Sequence, residues 1–335
     1  MIIRVTDATH SGQARREAAL LAEKANLGER ERGELAIVVT EIVTNQVKHA
    51  GEGTVILEEI IQNGSSGVRV LGLDKGSGIR DLSAAFRDGF SSAGTAGNGL
   101  GAIKRLSQVF DIYAAPGLGT AVLAEFWSDD KSTPQSSTME VGVQSIPIAG
   151  EEVCGDGWGV KRTAESMLFM VVDGLGHGIL ASDAAREAEA NFSAAKNGSP
   201  GSILQDSHDA LKKTRGAAMA VAVLHLNQQT LTFAGVGNIG ASIVSPTASR
   251  GMPSHNGTVG HYLSAVQEFT FPWTAESILV MFSDGLKSNW DLKQYPGIWS
   301  KKAALIAGIL CRDFSRNRDD VTVLVAKNSF EASRR

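Results

Sequence analysis

The sequence predicts an α+β protein with two domains. Its 335 residues exceed the ordinary size of one compact domain. Apolar patterns typical of strands and of helices occur in runs rather than in strict alternation, which favours helices layered on sheets. The segment 128–138 is polar, contains a proline and has no apolar residue, a composition that indicates a linker. We therefore predict domains at 1–127 and 139–328.

The composition is that of a globular protein, with 43% hydrophobic and 20% charged residues. The 32 basic and 36 acidic residues give a net charge of −4, which argues against general nucleic-acid binding. Cys154 and Cys311 are far apart and argue against a disulfide framework or a cysteine-zinc site. No apolar run approaches the roughly 20 residues of a membrane span. We expect a cytoplasmic protein with neither a nucleic-acid nor a membrane partner.

Hydrophobic periodicity predicts the elements of the N-terminal domain. The first strand at 2–6 precedes a helix with a stripe that includes Ala14 and Ala18, and a second helix at 30–49. The elements that follow are strands at 53–61 and 67–73, a helix at 99–108, and strands at 109–115 and 119–127. This order favours helices on one face of a mixed sheet.

Three motifs in this domain indicate a nucleotide site. The first is a pair four residues apart on one face of the second helix, Glu41 and Asn45. The second is an acid at a strand end with alternate glycines, which let the chain turn beside a ligand: Asp74, Gly76 and Gly78. The third opens a helix, where free N–H groups favour phosphate: Gly97, Gly99 and Gly101. Each motif alone is weak, and their ordered succession is far more specific.

In this order, and with Gly119-Thr120 as a later GT motif, residues 1–127 resemble the GHKL (Bergerat) ATPases, an α/β sandwich. Within that superfamily they look most like the bacterial anti-sigma-factor and switch protein-serine kinases. The resemblance implies ATP with Mg²⁺ as the ligand. Asn45 would hold the Mg²⁺, Glu41 would be the base for the attacking hydroxyl, and Asp74, supported by Thr120, would accept from the adenine amino group. Residues 79–96 would form the lid.

A sensor histidine kinase is the rival within the superfamily. It needs a helical hairpin with a phospho-acceptor histidine ahead of the Glu41 motif. The roughly 40 preceding residues are used by one strand and parts of two helices, and His10 fits a loop or cap. We reject this alternative.

The C-terminal domain is richer in predicted strands, which suggests a β-sandwich covered by helices. The strands are predicted at 140–148, 158–163, 166–172, 217–225, 230–236, 239–244, 277–283 and 320–326. The helices are predicted at 177–196, 200–213 and 300–311.

Four acids in this domain lie at predicted strand ends, three of them beside glycine: Asp156, Asp173, Asp284 and Asp319. Hard divalent cations need several carboxylates that converge on one point. The alternative is ordinary turn chemistry, because Asp-Gly is a common hairpin signal. Asp173 and Asp284 follow fully apolar runs, which favours a site.

The order and spacing of these acids resemble the type 2C metal-dependent protein phosphatases, an αββα sandwich, in their SpoIIE-like branch. The resemblance implies two Mn²⁺ or Mg²⁺ ions that share and activate a water. Asp173 would bridge both ions, Asp284 and Asp319 would complete one site, and Asp156 with the Gly174 carbonyl would serve the other. Lys287-Ser288-Asn289 departs from the family pattern, which puts a third metal site in doubt. For His177, catalytic support and a structural role both stay open.

Together the resemblances imply a bifunctional partner-switching regulator. One half would phosphorylate, and the other dephosphorylate, a serine or threonine of a STAS-type antagonist or scaffold protein that controls a sigma factor or another switch target. The alternative is a phosphatase whose N-terminal domain is only a nucleotide-dependent partner-binding module. Glu41 favours the kinase, because a pure binder needs no base. The full aspartate set disfavours a third reading, a pseudo-phosphatase scaffold.

Overall fold

The computed structural model describes residues 1–62, 64–86, 99–128, 138–195, 198–263 and 265–329. The chain divides into two units. The N-terminal unit comprises Met1–Ser137 and Leu292–Arg312, and the C-terminal unit comprises Thr138–Asp291 and Asp313–Arg335. The segment 292–312, which the predicted division assigned to the C-terminal domain, therefore packs with the N-terminal unit. Residues 129–137 of the predicted linker lie outside the described residues.

The N-terminal unit is built on a five-stranded sheet. Its strands are β1 (Ile2–Val5), β2 (Gly53–Gln62), β3 (Ser65–Asp74), β4 (Val109–Ala114) and β5 (Thr120–Trp127). They lie in the order β1-β2-β3-β5-β4, and the pairings within the sheet are antiparallel. The expectation of a mixed sheet is therefore wrong. Short connections such as the one between β2 and β3 form hairpins, which pair antiparallel strands.

Helices cover one face of this sheet. They are α1 (His10–Lys24), α2 (Glu29–Ala50), the short α3 (Leu82–Ala85) and α4 (Gly99–Leu106). The apolar stripes of α1 and α2 pack with alternate strand residues, among them Val55 and Val70, in one core. Because that core takes up the apolar side of α2, Glu41 and Asn45 stand half-buried on its polar side.

The C-terminal unit is built from ten strands. They are β6 (Met139–Ile146), β7 (Asp156–Arg162), β8 (Ser166–Gly174), β9 (Ala217–His225), β10 (Thr230–Val236), β11 (Gly240–Val244), β12 (Ser249–Met252), β13 (Phe269–Pro272), β14 (Ile278–Phe282) and β15 (Val321–Asn328). They form two five-stranded sheets, in the orders β13-β10-β9-β8-β7 and β12-β11-β14-β15-β6. Side chains of both sheets, such as Phe169 and Leu324, share one core, so the unit is the predicted β-sandwich.

Two helices cover the outer face of the first sheet. α5 (Ile179–Ala194) and α6 (Pro200–Ala210) pack on β8 and β9 in a second core. The predicted helix at 300–311 forms as α7 (Ala303–Phe314). Sheets and helices thus occur in both units, which confirms the α+β fold class. Within the described ranges, no helix is both long enough and apolar enough to span a membrane.

Candidate functional site

A cavity of about 870 Å³ in the N-terminal unit brings together most of the predicted nucleotide-site residues. Those that line it are Glu41, Asn45, Asp74, Gly76, Gly78, Gly99 and Thr120. Gly101 is buried in α4 and does not line the cavity. Gly97, and residues 87–96 of the predicted lid, lie outside the described residues.

The beginning of α4 faces the polar side of α2 across this cavity. A β-carbon at Gly99 would lie 2.8 Å from Glu41 Oε2 and 3.3 Å from Asn45 Nδ2, so a side chain there would collide with the pair. The first backbone N–H groups of a helix have no partner within the helix, and they favour a phosphate. The fold therefore places an acid, an amide and an anion-binding backbone around one space.

Asp74 ends β3 and is held by the neighbouring backbone. Its Oδ1 accepts hydrogen bonds from the N–H groups of Gly76 (2.9 Å) and Thr120 (3.1 Å). Asp74 and Thr120 are also directly opposite each other in the β3–β5 pair. Burial raises the pKa of the Asp74 carboxyl, and the two N–H donors oppose that shift. These hydrogen bonds fix the orientation of the Asp74 carboxyl at the cavity wall, where a carboxyl oxygen can accept from a donor group of a ligand.

Two cations also line the cavity, Lys48 and Arg80. Both are exposed, so they can move toward an anionic ligand without being desolvated first. Sequence analysis did not single out Arg80, which directly follows the Gly76–Gly78 turn. A basic residue at the end of a glycine-rich turn beside a nucleotide pocket was the available signal.

The second candidate site lies in the C-terminal unit, where strand ends bring the predicted acids together. Asp156 begins β7 and lies directly opposite Asp173 of β8. Asp284 follows β14, and Asp319 lies two residues before β15. Gly174 ends β8 next to Asp173.

Hydrogen bonds give these acids different surroundings. Ser283 Oγ donates to Asp156 Oδ2 (2.6 Å), and the side-chain amide of Asn238 donates to Asp284. Sequence analysis missed Asn238, because an asparagine after a glycine is also typical of a plain turn.

Asp320, the neighbour of Asp319, has a different position. Its Oδ1 accepts from the N–H of Ile148 (2.7 Å) and its Oδ2 from the N–H of Gly155 (2.8 Å). Asp320 is 2% exposed, whereas Asp319 is half-buried. The buried acid therefore joins segments of the fold, and the more accessible one is the better candidate ligand.

Burial and mutual repulsion raise the pKa values of acids in this cluster. Burial, and after it the neighbouring carboxylate of Asp156, raises the pKa of Asp173, and burial also raises the pKa of Asp156. Such a set of oxygen donors fits a hard divalent cation. Among the described residues, however, no three His, Cys, Asp or Glu side chains stand in a metal-binding arrangement. Coordination would therefore need side-chain rotations that bring the carboxylates closer together.

Two neighbouring residues can be assigned simple roles. Burial raises the pKa of the Cys154 thiol to about 12, which disfavours the thiolate form that a cysteine nucleophile needs. His177 Nδ1 lies 2.7 Å from Glu151 Oε1, so this ring is held by a carboxylate outside the predicted ligand set.

Comparison with known families divides the chain in the same order as the two sites. Residues 5–126 match the family described as histidine kinase-like ATPase domain, and residues 163–329 match the stage II sporulation protein E (SpoIIE) family. The serine/threonine-protein kinase RsbT of Bacillus subtilis (strain 168) is 30% identical over 114 residues, which cover 34% of this chain and 86% of RsbT. The phosphoserine phosphatase RsbX of the same organism is 26% identical over 156 residues, covering 45% of this chain and 77% of RsbX.

Two solved structures each resemble more than half of the chain. A structure from work on the bacterial stressosome is 28% identical, with a TM-score of 0.54, and covers 57% of this chain and 100% of that one. RsbX in complex with magnesium, at 22% identity and a TM-score of 0.52, covers 58% of this chain and 98% of that one, and it shows the shared fold. The chain therefore belongs to the histidine kinase-like ATPase family through its N-terminal part, and its C-terminal part matches the SpoIIE family.

Proposed function

We propose that the protein is a bifunctional partner-switching regulator. Its N-terminal unit phosphorylates, with ATP and Mg²⁺, a serine or threonine of a STAS-type antagonist or scaffold protein, and its C-terminal unit removes that phosphate with Mn²⁺ or Mg²⁺. The observation that carries the kinase half is the convergence of Glu41, Asn45 and Asp74 on one cavity. The RsbT and RsbX relatives, a kinase and a phosphatase by name, support the pairing.

In the kinase half each residue has a distinct role. Asp74 accepts the adenine amino group, and Asn45 would hold the Mg²⁺ that neutralises charge on the phosphates. Glu41, one helical turn from Asn45, orients or deprotonates the attacking hydroxyl. The N–H groups at the start of α4 receive phosphate oxygens. Phosphoryl transfer depends mostly on such positioning and charge neutralisation, so these residues supply the types of group that the reaction requires.

In the phosphatase half, Asp156, Asp173, Asp284, Asp319 and the Gly174 carbonyl would hold the divalent ions. When bound, the ions would lower the pKa of a water and direct it at the phosphoryl group. The carboxylates supply the charge that such ions need, and Asn238 orients Asp284 through its amide.

Exposed apolar side chains close to Asp173 in the sequence support a protein as the substrate. Leu175, Ile179 and Leu180 follow Asp173 within seven residues, and they are exposed by 44%, 70% and 53%. Large apolar side chains that cluster at the surface mark sites of protein contact. Binding of a small phosphate ester would not require these exposed side chains.

The kinase half is tested with a STAS protein, ATP and Mg²⁺ in a radiolabel transfer assay. Glu41→Ala should keep ATP affinity in calorimetry and lose transfer by about 10²–10⁴-fold, because a general base acts in the transition state. Asn45→Ala should instead lose Mg-ATP binding. Normal transfer by Glu41→Ala would contradict the kinase role and leave a nucleotide-dependent binding module.

The phosphatase half is tested by phosphate release from the phosphorylated STAS protein. Asp173→Asn and Asp284→Asn should each abolish release, because loss of a ligand carboxylate weakens metal binding, and both should leave ATP binding intact. Release within a few-fold of wild type in both variants would refute the ligand assignment.

A further inference from the structure

Residues Leu292–Arg312 belong to the N-terminal unit, although the acids of the second candidate site, Asp284 and Asp319, flank them in sequence. Within this segment, the nine consecutive residues Ala303–Cys311 of α7 are all buried. A helix that is apolar all round belongs to the interior of a fold. The segment is therefore a structural layer of the nucleotide-binding unit.

α7 covers the second face of the N-terminal sheet. Val68 and Val70 of β3 pack in the core beneath the helices α1 and α2. Successive strand residues point to opposite faces of a sheet. Leu71 and Leu73 alternate with Val68 and Val70, so they point away from that core. A β-carbon at Gly308 would lie 2.5 Å from Leu71 Cδ2, so glycine permits the close approach of α7 to β3.

Contacts of residues that precede α7 fix the position of the segment. Asp111 of β4 accepts from the N–H of Lys302 through Oδ2 (2.7 Å), and its Oδ1 lies 3.2 Å from Lys301 Nζ. The rings of Tyr295 and Tyr113 meet edge to face, with centroids 5.8 Å apart. The N–H of Lys302 and the tyrosine pair, neither of which involves the Lys301 side chain, set the register of the segment along the sheet.

At the other end, Arg312 contacts the backbone of Asp74 and Thr120, two residues that line the cavity. Its Nη1 donates to the carbonyl of Asp74 (2.7 Å) and more weakly to that of Thr120 (3.4 Å), and its Nη2 donates to the carbonyl of Leu118 (2.9 Å). Hydrogen bonds from a charged group to carbonyls are among the stronger ones. A β-carbon at Gly119, whose φ is +69°, would lie 2.1 Å from the Asp74 carbonyl oxygen and 2.9 Å from Arg312 Nη1. Any side chain at position 119 would therefore collide with the hydrogen bond between these two groups.

We propose that Arg312 is a positioning residue for nucleotide recognition. By holding the backbone of Asp74, Leu118 and Thr120 together, it fixes the Asp74 carboxyl in the orientation that selects the adenine amino group. The inference rests on the proposed function, because it presumes that the cavity binds ATP. It adds that a residue encoded between two phosphatase motifs determines how well the kinase-like unit distinguishes ATP from GTP.

The test measures equilibrium binding of ATP and GTP to the full-length protein, well below its melting temperature. Arg312→Ala should weaken ATP binding about tenfold, the equivalent of ~1.4 kcal/mol, and should reduce the ATP-over-GTP preference by a similar factor. Arg312→Lys keeps the charge but has one donor nitrogen in place of Nη1 and Nη2, so it should recover part of that preference. Lys301→Ala is the matched control, because it removes a cation from the same segment that pairs with Asp111 rather than with the Asp74 backbone.

The outcomes distinguish failure of the proposed nucleotide site from failure of the proposed role of Arg312. If wild type does not bind ATP, or if Asp74→Asn leaves the preference for ATP unchanged, the proposed nucleotide site fails, and this inference fails with it. If Asp74→Asn loses the preference but Arg312→Ala keeps it, only the inference is overturned, and a lowered melting temperature alone would assign Arg312 a structural role. If Arg312→Ala does not fold, Arg312→Lys decides: an unchanged ATP-over-GTP preference overturns the proposal, and a reduced one supports it.

Discussion

Asp319 and Asp320 are adjacent acids for which the structure predicts opposite mutational effects. Asp320 is buried, and both of its carboxylate oxygens accept backbone N–H groups, from Ile148 and Gly155. Asp320→Asn replaces one acceptor with an NH₂ group, which cannot accept from the facing N–H. Asp319→Asn keeps a carbonyl oxygen to accept from the N–H of Asp320, the 2.9 Å contact that Asp319 Oδ1 makes.

The expected difference in melting temperature follows from what distinguishes the two variants. Both remove one negative charge from the same cluster, so any relief of repulsion is similar in each. Asp320→Asn also leaves a buried N–H unsatisfied, which costs about 1–3 kcal/mol. For a unit of this size, such a loss lowers the melting temperature by about 2–12 °C. Asp319→Asn should leave the melting temperature of the metal-free protein close to that of wild type, or slightly above it.

Thermal melting followed by circular dichroism, in EDTA and then with excess Mn²⁺, measures both effects. Asp319→Asn should lose the stabilisation by Mn²⁺ together with phosphate release, whereas Asp320→Asn should start lower and still be stabilised by Mn²⁺. Equal melting temperatures for the two variants in EDTA would refute the assigned roles. So would full metal stabilisation of Asp319→Asn.

Three further predictions follow from other parts of the molecule. Burial raises the pKa of Asp156 and Asp173 above the unfolded value, so the stability of the metal-free protein should fall as pH rises through their folded pKa values. Mn²⁺ affinity, measured by calorimetry, should rise over the same pH range, because metal binding then displaces fewer protons. A double change of Ile179 and Leu180 to serine should lower kcat/KM for the phosphoprotein and leave hydrolysis of p-nitrophenyl phosphate unchanged. Gly308→Val should destabilise the N-terminal unit by about 1–3 kcal/mol, seen as a lower melting temperature of the transition that ATP shifts.

Sequence analysis placed most of the candidate nucleotide site because its signals are local. The four-residue spacing of Glu41 and Asn45 fixes their common face once α2 forms, and the apolar stripe of α2 determines which side is buried. The acids of the second site were found for the same reason, because each stands at or near the end of a strand that the hydrophobic pattern predicts. Their grouping at neighbouring strand ends follows from pairings such as that of Asp156 with Asp173.

The features that sequence analysis missed depend on contacts between distant segments. β12 has little apolar patterning, and its pairing with β11 is not visible in a pattern of its own residues. The burial of α7 was predictable from its composition, but the sheet that it covers was not. The role of Arg312 depends on the backbone carbonyls of Asp74 and Thr120. Every residue has such a carbonyl, so no sequence pattern predicts this contact.

The position of α7 in the chain has a consequence for biosynthesis. The N-terminal sheet can form once Trp127 has left the ribosome, but the helix that covers its second face follows about 185 residues later, which at about 5–20 residues per second is roughly 10–40 s of translation. During that interval the apolar side chains of that face, Leu71 among them, have no covering helix. A nascent chain arrested before residue 303 should therefore associate with chaperones, and one arrested after the whole of α7 has emerged should be released from them.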